Sequence, residues 1–189
     1  MAIRTTIKIP NGYSYERKQE IAARIVEFIK LRTMAGFDKN DSEFKPYSIE
    51  YAKKKGVSIY DVDLKATGEM LDAMRIMRIT KNEIIIGFDG RTKQDRKAEG
   101  QILGTYGQPI GNPDKVRDFL GLNAKALKEI LKEFPQTAEE KTKGRIEDTI
   151  DSLVDSIDDQ TVTQFKTQQI AEELGISLPS WMRGSNVKS

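Results

Sequence analysis

Three short stretches hold residues that could do chemistry. In "GFDGRTKQ", Gly87, Gly90 and Lys93 supply the ingredients of a phosphate cradle, in which backbone N–H groups and a lysine hold the anion. Their spacing departs from G-x-x-x-x-G-K-[ST], and a polar loop after a hairpin accounts for the run better. "PD" at Pro113 and Asp114 and "EEK" at Glu139 to Lys141 follow the order of a carboxylate nuclease, where two acids and a lysine hold a divalent metal and orient water. Those residues fall in a turn and on an acidic helix, not on adjacent strands aimed at one point. A solvated helix face with i, i+4 pairs explains "EEK" more simply. The third stretch, "TQQIAEELGISLPSW", has Ala171, Leu174, Gly175 and Ile176 where a helix-turn-helix places a small residue, an apolar residue, the turn glycine and an apolar residue. A recognition helix does not follow. Pro179 and Gly184 interrupt the short remainder, and the region is acidic where phosphate contact needs Lys and Arg. An αα-hairpin with a glycine turn is the plainer reading, and a small DNA-binding protein using that hairpin is the alternative function.

Composition narrows the chemistry further. The 189 residues contain no histidine and no cysteine, which removes the usual general base near neutral pH, the commonest metal ligand and every thiolate. Any enzyme here would have to work with carboxylates, lysines, tyrosines or hydroxyls. Hydrophobic content of 38% and charge of 32% suit a soluble fold with a real core. No apolar run reaches the ~20 residues of a membrane span, and "MAIRTTIKIP" lacks the apolar centre of a signal peptide, so a protein made and kept in a cytoplasm, with no membrane partner, is expected. The net charge of +2 conceals a basic front and an acidic tail that could pair between neighbouring subunits.

The elements that must position these residues follow from periodicity. Ile3, Ile7 and Ile9 in "IRTTIKIP" read as a short half-buried strand stopped by Pro10. Ile21, Ile25, Phe28 and Ile29 then mark one face of a helix from Ser14, its N-cap, to Ala35. Ser48 caps a short helix "IEYAKKK" ended by Gly56, whose lysines suit the negative end of the helix dipole. Tyr47 and Tyr51, four apart, are expected to clamp it onto the core with each hydroxyl on a polar partner. Thr67 is a candidate cap for "GEMLDAM", with Leu71 and Met74 on one face, and Arg75 to Phe88 reads as a hairpin. "DGRTKQDRK" reads as a polar loop before a short helix from Ala98 to Leu103, and "GTYGQPIGNP" as irregular. Leu127, Ile130, Leu131 and Phe134 mark an amphipathic helix closed by Pro135. Beyond it Ile146, Ile150, Leu153 and Ile157 are spaced as the start of a coiled-coil-like seam, and a last helix is expected from Thr161 to Leu174.

Taken in order, "GFDKNDSEFKPYSIEYAKKKG", "VDLKATGEMLDAM", "EIIIGF" and "PDKVRDFLGL" resemble the tailed-phage virion morphogenesis proteins, the tail-completion or head-tail joining family. The resemblance covers residues 14 to 134. It rests on Pro46, Tyr47, Ser48 and Tyr51, on Leu64, Thr67, Gly68 and Met70, and on Arg117, Phe119, Leu120, Gly121 and Leu122, which are thereby candidate interface residues. The family's A-x-x-H-Q-like element has no histidine here, where "KAEGQILGTYG" stands, and the acidic extension has no counterpart. The resemblance implies an α+β domain, here set at 1–135, with a long N-terminal helix packed on a small antiparallel sheet; the shift to acidic, helically spaced residues after Pro135 is read separately as an acidic helical extension over 136–189. It also implies a non-enzymatic virion subunit with no cofactor, present in the host cytoplasm during assembly, that forms a homo-oligomeric ring at the neck, sixfold by family analogy. Its partners would be the tail tube or tail terminator and the portal or head connector, with non-specific contact to DNA in the channel. For Phe119 and Leu120 a core role is the simpler expectation, and Lys53, Lys54 and Lys55 have a possible second role facing an acidic tail or that DNA.

Overall fold

The computed structural model describes residues 2–62, 64, 68–105 and 115–156. By its internal contacts the chain divides into two compact units, Met1–Gly144 and Arg145–Ser189. Strands β1 (Ile3–Lys8), β2 (Arg75–Ile79) and β3 (Glu83–Phe88) form one antiparallel sheet in the order β1-β3-β2. Among the described residues six helices accompany it: α1 (Tyr15–Met34), α2 (Ile49–Lys55), α3 (Glu69–Asp72), α4 (Lys93–Leu103), α5 (Ala124–Glu133) and α6 (Ala138–Ser156). The fold is a mixture of helices with a small antiparallel sheet. The long helix is its second element and not its first, because the alternating isoleucines at the start of the chain already make a strand.

Burial explains the strand order. β3 reads as an almost continuous apolar run, and Ile84, Ile86 and Phe88 are fully buried, as suits the central strand. β1 and β2 carry more exposed positions and take the edges. Ile3 lies opposite Phe88 and Ile7 opposite Ile84 on one side of β3, while Arg75 lies opposite Gly87 on the other. The β2–β3 register shifts between Ile76 and Arg78, a bulge that leaves Met77 without a ladder partner.

Helix α1 starts where Ser14 Oγ accepts the Arg17 N–H, at 3.2 Å. Ile21, Ile25 and Ile29 are fully buried, each worth ~2 kcal/mol in area removed from water. They join Met70, Leu71, Met74, Phe119, Leu120 and Ile130 in one core. α1 packs on β2, β3 and α5, and Arg24 Nε meets Glu133 Oε2 at 2.8 Å across the helix pair.

The start of α4 overturns another expectation. Lys93 to Lys97, read from sequence as part of a polar loop, are the first turns of α4. Thr92 Oγ1 accepts the Asp95 N–H at 3.1 Å and Asp95 Oδ2 accepts the Thr92 N–H at 3.0 Å, a reciprocal cap that starts the helix five residues before Ala98. Burial works to raise the Asp95 pKa, but the hydrogen bonds from Thr92 and the charge of Arg75 outweigh it and hold the carboxyl below its usual range. At the other end of the unit, the Thr137 N–H donates to Glu140 Oε2 at 2.9 Å and the Glu140 N–H to Thr137 Oγ1 at 3.2 Å, which starts α6. Glu140 Oε1 also accepts the Ser14 N–H. This carboxylate is an N-terminal cap shared by two helices, not half of an i, i+4 pair.

Residues up to Gly144 belong to the first unit because the start of α6 lies directly on the Asn11–Gly12 turn. A Cβ on Gly144 would stand 2.6 Å from the Asn11 carbonyl oxygen, and one on Gly12 would run into the Glu140 carbonyl. Gly12 also has φ +98°, a conformation that only glycine adopts without strain. Gln136 Nε2 donates to Asn11 O at 2.6 Å, Tyr13 Oη to Phe134 O at 2.9 Å, and Arg17 to Pro135 O at 3.0 Å. The turn after β1 is thereby tied to the chain more than a hundred residues later.

Candidate functional site

Two of the segments that suggested a function, "KPYSIEYAKKKG" and "VRDFLGL", meet at one corner of the first unit. Ser48 Oγ accepts the Tyr51 N–H at 3.3 Å and opens α2, and Gly56 closes it in the left-handed conformation. Ala52 is the buried residue of this helix. Lys53, Lys54 and Lys55 occupy the last turn, where the dipole favours cations. Tyr47 is half-buried and receives a hydrogen bond from Lys55 Nζ at 3.3 Å. Its ring lies 4.8 Å from that of Tyr51. Tyr47 packs against the core while Tyr51 itself is exposed, so one tyrosine of the expected pair, together with the buried Ala52, seats this segment.

Arg117 joins this corner to the "RDFLGL" segment. Its guanidinium donates to Lys45 O at 2.7 Å and to Val116 O at 3.0 Å, and its backbone N–H donates to Gln101 O at 2.8 Å. Burial lowers its pKa from the usual guanidinium value, while the nearby Tyr47 acts in the opposite sense. Phe119 is fully buried, edge-on to Phe88 at 6.1 Å, and Leu120 is buried beside it, so both are core residues. Leu122 is half-buried against the same core.

A second arginine, unsuspected from sequence, holds the same segment from the other side. Arg32 on α1 is buried and donates to Phe119 O at 2.9 Å, to Gly121 O at 2.8 Å and to Lys39 O at 3.3 Å. Burial lowers its pKa, and the charges of Asp41, Asp38 and Asp118 counter this. Position 32 falls three after Ile29 and seven after Ile25, on the apolar face of α1. A cation at that spacing is the signal that could have found it.

Of the other residues carrying the resemblance, Met70 is buried and Gly68 is the N-cap of α3, without a side-chain cap. Pro46 and Ser48 are exposed. Thr67, the expected cap, lies outside the described residues. So do Asp114, Ile157 and the whole of the helix-turn-helix-like stretch. Gly90 and Lys93 of the phosphate-loop reading sit at the start of α4, where the Arg91 and Thr92 N–H groups are taken by Asp95 and the site offers a carboxylate instead of room for an anion. Among the described residues, no group of three or more acids is placed to hold a metal ion, and no helix is long and apolar enough to cross a membrane.

The described part of the second unit is the remainder of α6. Ile146, Ile150, Leu153 and Val154 are each more than half exposed (51–57%). Glu147, Asp148 and Asp151 are interleaved with them, and the last turn carries no basic residue. Two surfaces therefore combine large exposed apolar side chains with concentrated charge, one basic on α2 and one acidic on α6. Comparison with protein-family models, with curated proteins and with solved structures finds no match for this chain.

Proposed function

We propose that this chain is a structural subunit of a tailed-phage virion, a tail-completion or head-tail joining protein that associates into a ring at the neck, between portal or connector and tail tube. It acts by binding and makes or breaks no bond. The reading begins from the ordered motifs and is supported most by one observation: two of the motif segments, more than seventy residues apart in sequence, meet at a single corner through the 2.7 Å hydrogen bond from Arg117 to Lys45 O. Two motif segments tied together in this way present a defined surface, which is what a joining subunit requires. In this reading α1 packed on the sheet is the scaffold, and the ring is sixfold by family analogy. Its neighbours are tail-tube or terminator and connector proteins, with DNA passing through the channel.

Deletion of the gene from the phage that encodes it, followed by electron microscopy of the lysate, tests the proposal. Filled heads and separate tails are expected to accumulate, with joined particles reduced at least a hundredfold. Normal joined virions would contradict it, as would turnover of any substrate by the pure protein.

A further inference from the structure

Two exposed patches of this chain complement each other in charge and in apolar character. The first is the α2 corner. Ile49 is 65% exposed, Tyr51 46% and Tyr60 75%, and Lys53 and Lys54 are exposed beside them. The Tyr47 N–H donates to Ile59 O at 2.8 Å, which holds the turn bearing Tyr60 against the start of α2. Two acids also lie here: Glu50 in the first turn of α2, and Asp61, whose carboxylate accepts the Ser58 N–H. The second patch is the later half of α6, with its exposed Ile146, Ile150 and Val154 and the acids Glu147, Asp148 and Asp151. Charge changes sign along this helix, since Lys141, Lys143 and Arg145 precede the apolar row.

We infer that the acidic, apolar half of α6 docks on the α2 corner of a second copy of this chain. The contact is head-to-tail, because each copy carries one patch of each kind, and such contacts close into rings when the rotation per subunit allows. Closure as a ring rests on the neck-subunit reading, while the contact itself rests on the two patches. Both are small beside the ~800 Å² per partner of a standard interface. One contact is therefore weak, and affinity accumulates when every subunit is held twice. Charge makes the association sensitive to salt.

The head-to-tail geometry permits a mixing experiment on the full-length chain. Sedimentation velocity over a range of concentrations is expected to show association at low salt that weakens at high salt. Lys53→Glu/Lys54→Glu sets acids against acids, and Glu147→Lys/Asp151→Lys sets bases against bases, so each variant alone is expected to associate about tenfold or more weakly. Mixed in equal amounts, the two variants restore opposite charges at every contact and are expected to associate as the parent does. Lys53, Lys54 and Asp151 are exposed and Glu147 is half-buried, and circular dichroism of each variant verifies that it folds. A parent chain that stays monomeric at low salt overturns the inference, as does a variant that associates unchanged, or a mixture that does not recover. Loss of only DNA binding on reversing the lysines overturns it too. If the mixture fails while the gene is still needed for joined virions, the contact falls and the neck reading stands. If the mixture recovers while the gene is dispensable, the neck reading falls and the contact stands.

Discussion

The α2–Arg117 corner and the later half of α6 spend similar residues to opposite ends. In the corner Phe119 and Leu120 are buried, and the carbonyls around them receive buried arginines. In α6 Ile146, Ile150, Leu153 and Val154 recur at helical spacing and stay more than half exposed. Periodicity announces a face in both places. Only long-range contact decides whether the same domain covers it, and in the proposed reading the apolar row beside concentrated charge is a surface for association. Substitutions should separate the two regions, with stability responding to the corner and association to α6.

The largest loss is expected from Phe119→Ala, which removes a fully buried ring and its contact with Phe88. Denaturant unfolding should show about 3–5 kcal/mol less stability, and a loss under 1 kcal/mol would contradict the core assignment. Arg32→Ala should cost about 2–4 kcal/mol in the same assay, because the Phe119 and Gly121 carbonyls lose buried donors. Gly144→Ala should cost about 1–3 kcal/mol, since the added methyl has no room against the Asn11 carbonyl. A gain of stability, as expected for alanine in an open helix, would show that α6 does not lie tightly on the turn.

Acid gives a subtler comparison. The Asp95 carboxyl has a lowered pKa in the folded protein, so its stabilisation is complete above the unfolded value of about 3.9 and disappears as pH falls through the folded value. The melting temperature of the parent should therefore hold from neutrality to about pH 5 and fall below about pH 4. The gap between parent and Asp95→Asn should narrow over that lower range. Curves that stay parallel throughout would remove Asp95 from the account.

Much of the scaffold was legible in the sequence. The isoleucine alternation located β1, the 21/25/29 spacing and Ser14 located α1, and Ser48 and Gly56 bounded α2, because each signal is local. The start of α4 was hidden by a run of charges without apolar period, although T-x-x-D at 92–95 is a capping signal that sequence alone displays. The same is true of T-x-x-E at 137–140. What could not be read was contact between distant segments. Nothing local says that Gly12 must meet Gly144, that Arg117 reaches Lys45, or that Arg32 serves two carbonyls near residue 120. The last two of these contacts assemble the candidate corner, so its residue types were visible while its geometry was not.

The most direct measurement is the yield of infectious particles when purified protein is added to an extract of the gene-deleted phage. The parent chain should restore infectivity. Ile146→Gln/Ile150→Gln, which keeps helix-forming side chains and should leave stability within about 0.5 kcal/mol, should restore it at least tenfold less well. A variant as effective as the parent, or a parent chain that restores nothing, would contradict a protein that works by presenting surfaces to its neighbours.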